Sequence, residues 1–221
     1  MPPRPVSAPV PLVLHGDVLD PWCWIAEKRI VMAADELHGR FLPIEHAPFP
    51  RRWEPRAPSA RERRKRIHEL KRAAREHDAP PFSPEVWSGA SAPQTSAPPL
   101  VAIAAAQFQG PAAAIRLRAA LREAALVSGL DISRRDVILE VAASAGLDLA
   151  RFVPAFEATG TERALLEDIA EARELGVEEG PSLVINDDWL VPGLRSLKDY
   201  RLVLKRFLAV RAGTMVAHTV H

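Results

Sequence analysis

Short apolar runs at the two ends of the chain enclose a long stretch with helical periodicity. Residues 11–16, PLVLHG, form a strand candidate, and residues 40–49 alternate loosely as a second one. Near the C-terminus, SLVIN and WLVPG are two further strand candidates, and Asp187-Asp188 between them is typical of a hairpin. The pattern therefore predicts strands at both ends of the chain and helices between them.

Capping signals predict where the helices begin. Asp20-Pro21 opens a helix that runs to about Leu37, because Asp is a favoured N-cap and Pro fits the first helical position. Ser59 caps a second helix that extends to about residue 76. Further helices are predicted over residues 99–110, 111–129, 133–146 with Ser133 as cap, 148–160, 161–176 with Thr161 as cap, and from about residue 196.

This order of elements predicts one α/β domain that is split by a helical insertion. Two isolated strands at either end are not stable alone, so the first and last segments are expected to meet in one sheet. The predicted divisions are residues 11–56 and 161–210 for the two parts of the sheet domain, 57–160 for the insertion, and 1–10 and 211–221 for flexible tails.

The charge composition of the chain indicates which kinds of partner it can attract. The net charge of +1 gives no general attraction to nucleic acid or to membranes. Eleven Arg or Lys side chains lie within residues 51–75, and a solvated helix face with Glu partners explains them better than nucleic-acid binding. The alternative left open is a concave site for an acidic substrate, lined by some of these arginines.

Location is predicted from what the sequence lacks. No segment reaches the roughly 18 uncharged apolar residues of a membrane span. The Pro-rich N-terminus lacks the apolar core of a signal peptide, so a cytoplasmic location is expected.

The only cysteine, Cys23, follows Asp20 by three residues in the segment DPWCW. A single cysteine excludes an intrachain disulfide and zinc sites built from several thiolates. None of the seven histidines shows metal-ligand spacing with another or with Cys23, so no metal site is expected. His15 and His46 lie at or near strand ends and are expected to be partly exposed.

Two segments together resemble a known family. DPWCW at a helix N-terminus and GVEEGPSLVINDDWLVPG are similar to the C-P-W-C and G-V-x-G-V-P-T-[FL]-V-I-N motifs of DsbA-like thioredoxin-fold proteins of the FrnE type. AAQFQG, ALREAALVSGLDIS and AASAGLD resemble the helical insert of that group, and the similarity spans roughly residues 11–208. The resemblance implies an α/β thioredoxin-like fold with an inserted all-helical domain, and a cis peptide bond before Pro181. A similar S-P-Y-S motif occurs in kappa-class glutathione transferases and hydroxychromene-carboxylate isomerases.

The chain departs from the family motif at the reactive position. Asp20 stands where the family has its nucleophilic cysteine, and Cys23 takes the place of the resolving cysteine. The resemblance implies Cys23 as the catalytic residue, with Asp20 modulating it. The substrate-binding residues that it implies are Pro21, Trp22, Trp24, Gly180, Pro181 and Ser182.

The chemistry of one thiol is limited. Dithiol exchange needs a second thiol to release the substrate, so Cys23 alone forms at most a mixed disulfide that an outside thiol must resolve. A helix N-terminus stabilises a thiolate, whereas a carboxylate opposes it. If Asp20 caps the helix by accepting from the Cys23 backbone N–H, it weakens this activation. The alternatives are that Cys23 is an inert core residue and Asp20 only a cap.

Three functions follow from these residues. The first is a DsbA/FrnE-like thiol-disulfide oxidoreductase family protein with a weak or altered single-cysteine site, acting on protein thiols or disulfides. The second is a glutathione-dependent transferase or isomerase of the kappa type. The third is a redox-inactive protein that holds a peptide or a small acid in the groove beside Pro181. No bound cofactor is expected, glutathione stays open as a co-substrate, and a homodimer stays open as the assembly.

Overall fold

The computed structural model describes residues 8–89 and 92–213, which fold into a four-stranded sheet and its surrounding helices. The strands are β1 (Leu12–Gly16), β2 (Glu45–Pro48), β3 (Ser182–Ile185) and β4 (Trp189–Pro192). The helices are α1 (Pro21–Asp35), α2 (Ala60–Ala73), α3 (Glu85–Ser88), α4 (Ala97–Ala106), α5 (Pro111–Leu126), α6 (Arg135–Ser144), α7 (Leu149–Phe156), α8 (Thr159–Glu174) and α9 (Leu197–Arg211).

The sheet joins the two ends of the chain, as predicted. Its strand order is β2-β1-β3-β4, in which β1 runs parallel to β2 and antiparallel to β3. His15 lies opposite Ser182, so the end of β1 and the start of β3 are neighbours. The predicted hairpin connects β3 to β4, and its turn places Asn186 and Asp187 at positive φ.

Each face of the sheet packs against a different core. Leu12, Leu14 and Leu183 share one core with α1 and α9. Val184 faces the opposite way and joins a larger core formed mainly by helices of the insertion. This alternation follows from the two-residue period of a strand. A sheet covered on both faces in this way is the thioredoxin-like fold with a helical insertion that the sequence predicts.

Most predicted helix starts are correct. Asp20 is the N-cap of α1, and Ser59 forms a reciprocal capping box with Glu62 at α2. Ser196 caps α9 by accepting from the backbone N–H of Asp199. Short-range side-chain chemistry therefore defines these boundaries.

Two predicted caps are wrong. α6 begins at Arg135, and the hydroxyl of Ser133 instead donates to Asp131 Oδ1 at 2.6 Å. α8 begins at Thr159, and the hydroxyl of Thr161 donates to the carbonyl oxygen of Ala155 at 2.7 Å. In both cases a nearby acceptor takes the hydroxyl that the prediction assigned to the helix N-terminus.

The second strand is shorter than predicted, because Phe41 makes only an isolated bridge to Val10 before β2 begins. The predicted flexible tails lie mostly outside the described residues. Among residues 8–89 and 92–213, no helix has both the length and the hydropathy required to cross a bilayer.

Candidate functional site

The turn from β1 into α1 lies against the loop that leads into β3. The Gly180–Pro181 peptide bond is cis in the structure. A Cβ atom built on Gly180 would lie 3.3 Å from Cys23 Sγ and 2.8 Å from Gly16 Cα. The only thiol and the Gly180–Pro181 loop are therefore in direct proximity, although about 160 residues separate them along the chain.

Close approach explains the glycine that precedes Pro181. Any side chain at Gly180 would collide with the backbone of β1 at Gly16. Gly16 is equally confined, because its added Cβ would lie 2.6 Å from Cys23 Sγ. The two glycines and the thiol thus form one tightly packed contact.

We expect Gly16→Ala to destabilise the protein by about 2 kcal/mol, because the new methyl group overlaps Cys23 Sγ. Urea unfolding measures this loss. In a Cys23→Ala background, the same substitution is expected to destabilise by less than about 1 kcal/mol, since the sulfur is gone. Equal losses in both backgrounds would show that Gly16 and Cys23 do not touch.

Cys23 is fully buried and its thiol is kept protonated. Burial raises the pKa of Cys23 well above its usual range, and the negative charge of Asp20 raises it further. A protonated thiol is a poor nucleophile and a poor ligand. The predicted opposition of Asp20 to a thiolate therefore acts in the direction expected.

Asp20 is also buried, with a side chain only 1% exposed. Burial raises the pKa of Asp20 to about 6, although the charge of Arg51 acts to lower it. Arg51 Nε lies 3.3 Å from Asp20 Oδ2, and Arg51 also pairs with Glu69. The place of the family's nucleophile thus holds a carboxyl group that is costly to ionise.

The capping geometry differs from the prediction by one residue. Asp20 Oδ1 accepts from the backbone N–H of Trp22 at 2.9 Å. The Cys23 backbone N–H instead points to the carbonyl oxygen of Asp20 at 3.2 Å. The side chain is still the N-cap, but it does not bond to the backbone of the cysteine.

The six predicted substrate-binding residues do not share one environment. Trp22 is half-buried beneath the guanidinium of Arg72, whereas Trp24 packs edge-on against Phe82 in the core of the insertion. Pro21, Pro181 and Ser182 are buried, and Gly180 is half-buried. The hydroxyl of Ser182 donates to the carbonyl oxygen of Glu179 at 2.7 Å. Trp22, Trp24 and Gly180 are the half-buried members of this set, and Trp24 is turned toward Phe82.

A cleft rich in cations opens beside Gly180, and we call it the basic cleft. It has four cationic side chains and two carboxylates. Its lining residues are Phe49, Pro50, Arg51, Lys65, Arg66, Arg173, Val177, Glu178, Glu179 and Gly180. The sequence suggested an arginine-lined site near α2, but it gave no local signal for Arg173, which comes from α8.

The cleft is tied to the turn by Arg51. This side chain lines the cleft and also forms the ion pair with Asp20. Arg66 pairs with Glu69 at 3.0 Å, whereas Lys65 and Arg173 are exposed. Lys65 and Arg173 are therefore the cations most available to a ligand. Within residues 8–89 and 92–213, no group of three or more His, Cys, Asp or Glu side chains could hold a metal ion.

A mixed sheet, a helix N-terminus and an adjoining cis-prolyl loop define a protein of the thioredoxin-like class. A family model described as Thioredoxin matches residues 17–192, and the chain belongs to this family. This confirms the predicted DsbA-like thioredoxin fold.

Solved structures support the same fold. The chain is similar to the cytosolic disulfide reductase DsbM from Pseudomonas aeruginosa, with 27% identity and a TM-score of 0.68 over 90% of this chain and 98% of that one. A structure of DsbM with GSH matches at 25% identity and a TM-score of 0.66, over 89% of this chain and 98% of that one. The oxidoreductase DsbA from Xylella fastidiosa matches with 16% identity and a TM-score of 0.60, over 95% and 90% of the two chains.

Among curated proteins, the ClpXP adapter protein SpxH of Halalkalibacterium halodurans is 32% identical over 90 residues. This match covers 41% of the chain and 29% of SpxH. The chain thus matches less than a third of the length of that relative.

Proposed function

We propose that this protein binds a glutathione-class peptide in the basic cleft, and that Cys23 does not carry out thiol–disulfide exchange. The observation that carries this proposal is the contrast between an enclosed thiol and an open, cationic cleft beside it. It joins the second and third functions predicted from the sequence: glutathione recognition is kept, and the redox step is lost.

The enclosed thiol argues against exchange. Attack on a disulfide needs a thiolate that can reach the other sulfur along its axis. Cys23 is fully buried, and Gly16 and Gly180 pack against its sulfur. Asp20 supplies no second sulfur and disfavours the thiolate. This chain therefore lacks both requirements of dithiol exchange, an accessible thiolate and a second thiol.

The cleft has the charge pattern that glutathione needs. Glutathione carries two carboxylates, one ammonium group and a thiol. The exposed Lys65 and Arg173 can receive the carboxylates, and Glu178 or Glu179 can receive the ammonium group. The GSH-containing structure of DsbM, a protein 25% identical over 89% of this chain, supports this ligand class.

Finer features belong to the same proposal. The segments DPWCW and GVEEGPSLVINDDWLVPG support assignment to the FrnE-type branch, and the cytosolic DsbM supports a cytoplasmic location. The helical domain is proposed to span residues 57–160, with the two parts of the sheet domain on either side.

Charge removal in the cleft is expected to weaken glutathione binding. Lys65→Gln and Arg173→Gln should each raise the Kd for reduced glutathione about three- to tenfold at low ionic strength, since each removes one exposed attractive charge. Isothermal titration calorimetry measures the effect. Added salt should weaken wild-type binding in the same direction.

Arg163→Gln is the matched control, because Arg163 lies on the same helix as Arg173 but outside the cleft and is 79% exposed. It should bind glutathione like the wild type. Equal weakening by Arg163→Gln and Arg173→Gln would reveal a general charge effect, and no binding by the wild type would reject glutathione as the ligand.

A further inference from the structure

A second cavity, of about 330 Å³, lies between the sheet and helices α4, α5 and α8. It shares no lining residue with the basic cleft, and Cys23 contributes to its wall. We call it the inner cavity. We call its buried arginine end the floor and its solvent-exposed edge the rim. The two ends differ in charge, and this difference indicates which kind of ligand the cavity can bind.

The floor of the inner cavity carries one excess positive charge. Arg118 Nη2 donates to Glu27 Oε1 at 3.0 Å, and Arg122 Nη1 donates to Glu27 Oε2. Burial lowers the pKa of His46 to about 4 against the opposing effect of Glu27, so its imidazole is neutral at pH 7. Two guanidinium groups therefore share a single carboxylate in a buried place.

Two polar atoms of this cavity are buried without a hydrogen bond. Within residues 8–89 and 92–213, His15 Nδ1 and Arg122 Nε have no partner. The two residues are 5% and 4% exposed, which corrects the expectation that His15 is partly exposed. Buried polar groups are nearly always satisfied, so a ligand or ordered water is expected beside them.

The rim has the opposite charge from the floor. Its exposed carboxylates are Glu45, Asp168, Glu171 and Asp187. Burial raises the pKa of Asp168, and the nearby charges of Glu167 and Glu45 raise it further. Apolar side chains of Leu100, Ile103 and Leu165 also line the cavity. A simple anion is repelled at the rim, and a simple cation is repelled at the floor.

We propose that the inner cavity binds a basic amino acid, with its carboxylate at Arg118 and Arg122, its α-ammonium donating to the unpaired His15 Nδ1, and its side-chain cation among the rim carboxylates. The alkyl chain would lie along the apolar walls. This site stands independently of the basic cleft, since neither its residues nor its ligand depend on glutathione binding.

Matched ligands test the charge pattern by calorimetry at low ionic strength. L-lysine is expected to bind, whereas lysine amide, which lacks the carboxylate, should bind at least about tenfold more weakly. Norleucine, which lacks the side-chain cation, should be weakened similarly. Equal binding of all three, or no binding of L-lysine, would overturn the proposal and leave a cavity that holds only water.

Variants locate the binding. Arg122→Gln should reduce L-lysine affinity at least about tenfold, because it neutralises the floor while Arg118 still pairs with Glu27. Asp168→Asn/Glu171→Gln changes only exposed side chains and should weaken binding about three- to tenfold. Glu162→Gln, near the start of the same helix and outside the lining, should bind as the wild type. Binding that survives the rim variant unchanged would place the ligand elsewhere, even if Arg122→Gln failed to fold.

Discussion

The Asp20→Cys variant is expected to reduce insulin disulfides no more than about twofold faster than the wild type, whose rate should equal the background of the reductant alone, because position 20 is as buried as Cys23 and insulin cannot reach a thiol there. This is expected although the substitution supplies the missing second sulfur at the N-terminus of α1. It also removes the carboxylate that raises the pKa of Cys23. The new thiol would lie beside Arg51, whose positive charge favours a thiolate. Turbidity of precipitating insulin chains measures the rate.

Two controls separate the new dithiol from mere loss of the carboxylate. Asp20→Ser removes the charge without adding sulfur, and it should stay at background. Asp20→Cys/Cys23→Ser keeps one thiol at the same buried position, and it should also stay at background. If Asp20→Cys instead works at least about tenfold faster than the wild type, the missing cysteine alone, and not the enclosure of the turn, prevents exchange.

The Asp20→Asn variant is expected to unfold with a free energy about 3 kcal/mol larger than that of the wild type at pH 7. Asn caps a helix as well as Asp does, so the hydrogen bond to Trp22 is kept. The gain arises because the folded state holds the Asp20 proton up to a pKa of about 6, whereas an unperturbed aspartate carboxyl has a pKa of 3.8.

The size of this stability gap depends on pH. Below the unfolded pKa, Asp20 is protonated in both states, so the two variants should be equally stable. Between the two pKa values the wild type loses stability relative to Asp20→Asn as pH rises, and above the folded value of about 6 the gap is constant. Urea unfolding at several pH values measures the gap. A wild type that is more stable than Asp20→Asn at pH 7, with the difference closing toward low pH, would show that Asp20 is a stabilising carboxylate.

Local chemistry made much of the fold predictable. Asp20-Pro21, Ser59 and the hairpin at residues 186–188 each carry their signal within a few residues, and the structure bears them out. The meeting of β1 with β3 followed from the need to pair strands. The predictions that Ser133 and Thr161 cap helices are wrong because each hydroxyl donates to another nearby oxygen. Local sequence patterns do not show which of several acceptors a hydroxyl will bond.

The state of the site was less predictable, because it depends on contacts between distant segments. The burial of Cys23 results from the approach of Gly180, which no local pattern around the cysteine encodes. Arg173 reaches the basic cleft from α8, and the floor of the inner cavity joins Glu27 of α1 to Arg118 of α5. None of these contacts between distant segments can be predicted from local sequence patterns.

Intact-mass spectrometry with glutathione disulfide tests most directly whether the protein binds glutathione without thiol–disulfide exchange at Cys23. In exchange, the Cys23 thiolate would attack one glutathione sulfur, forming a protein–glutathione disulfide and releasing one reduced glutathione. We predict a noncovalent adduct under native conditions and the unmodified protein mass after denaturation in acid. A glutathione adduct that survives denaturation and is absent from Cys23→Ala would contradict the account, because it would show that the buried thiol reacts.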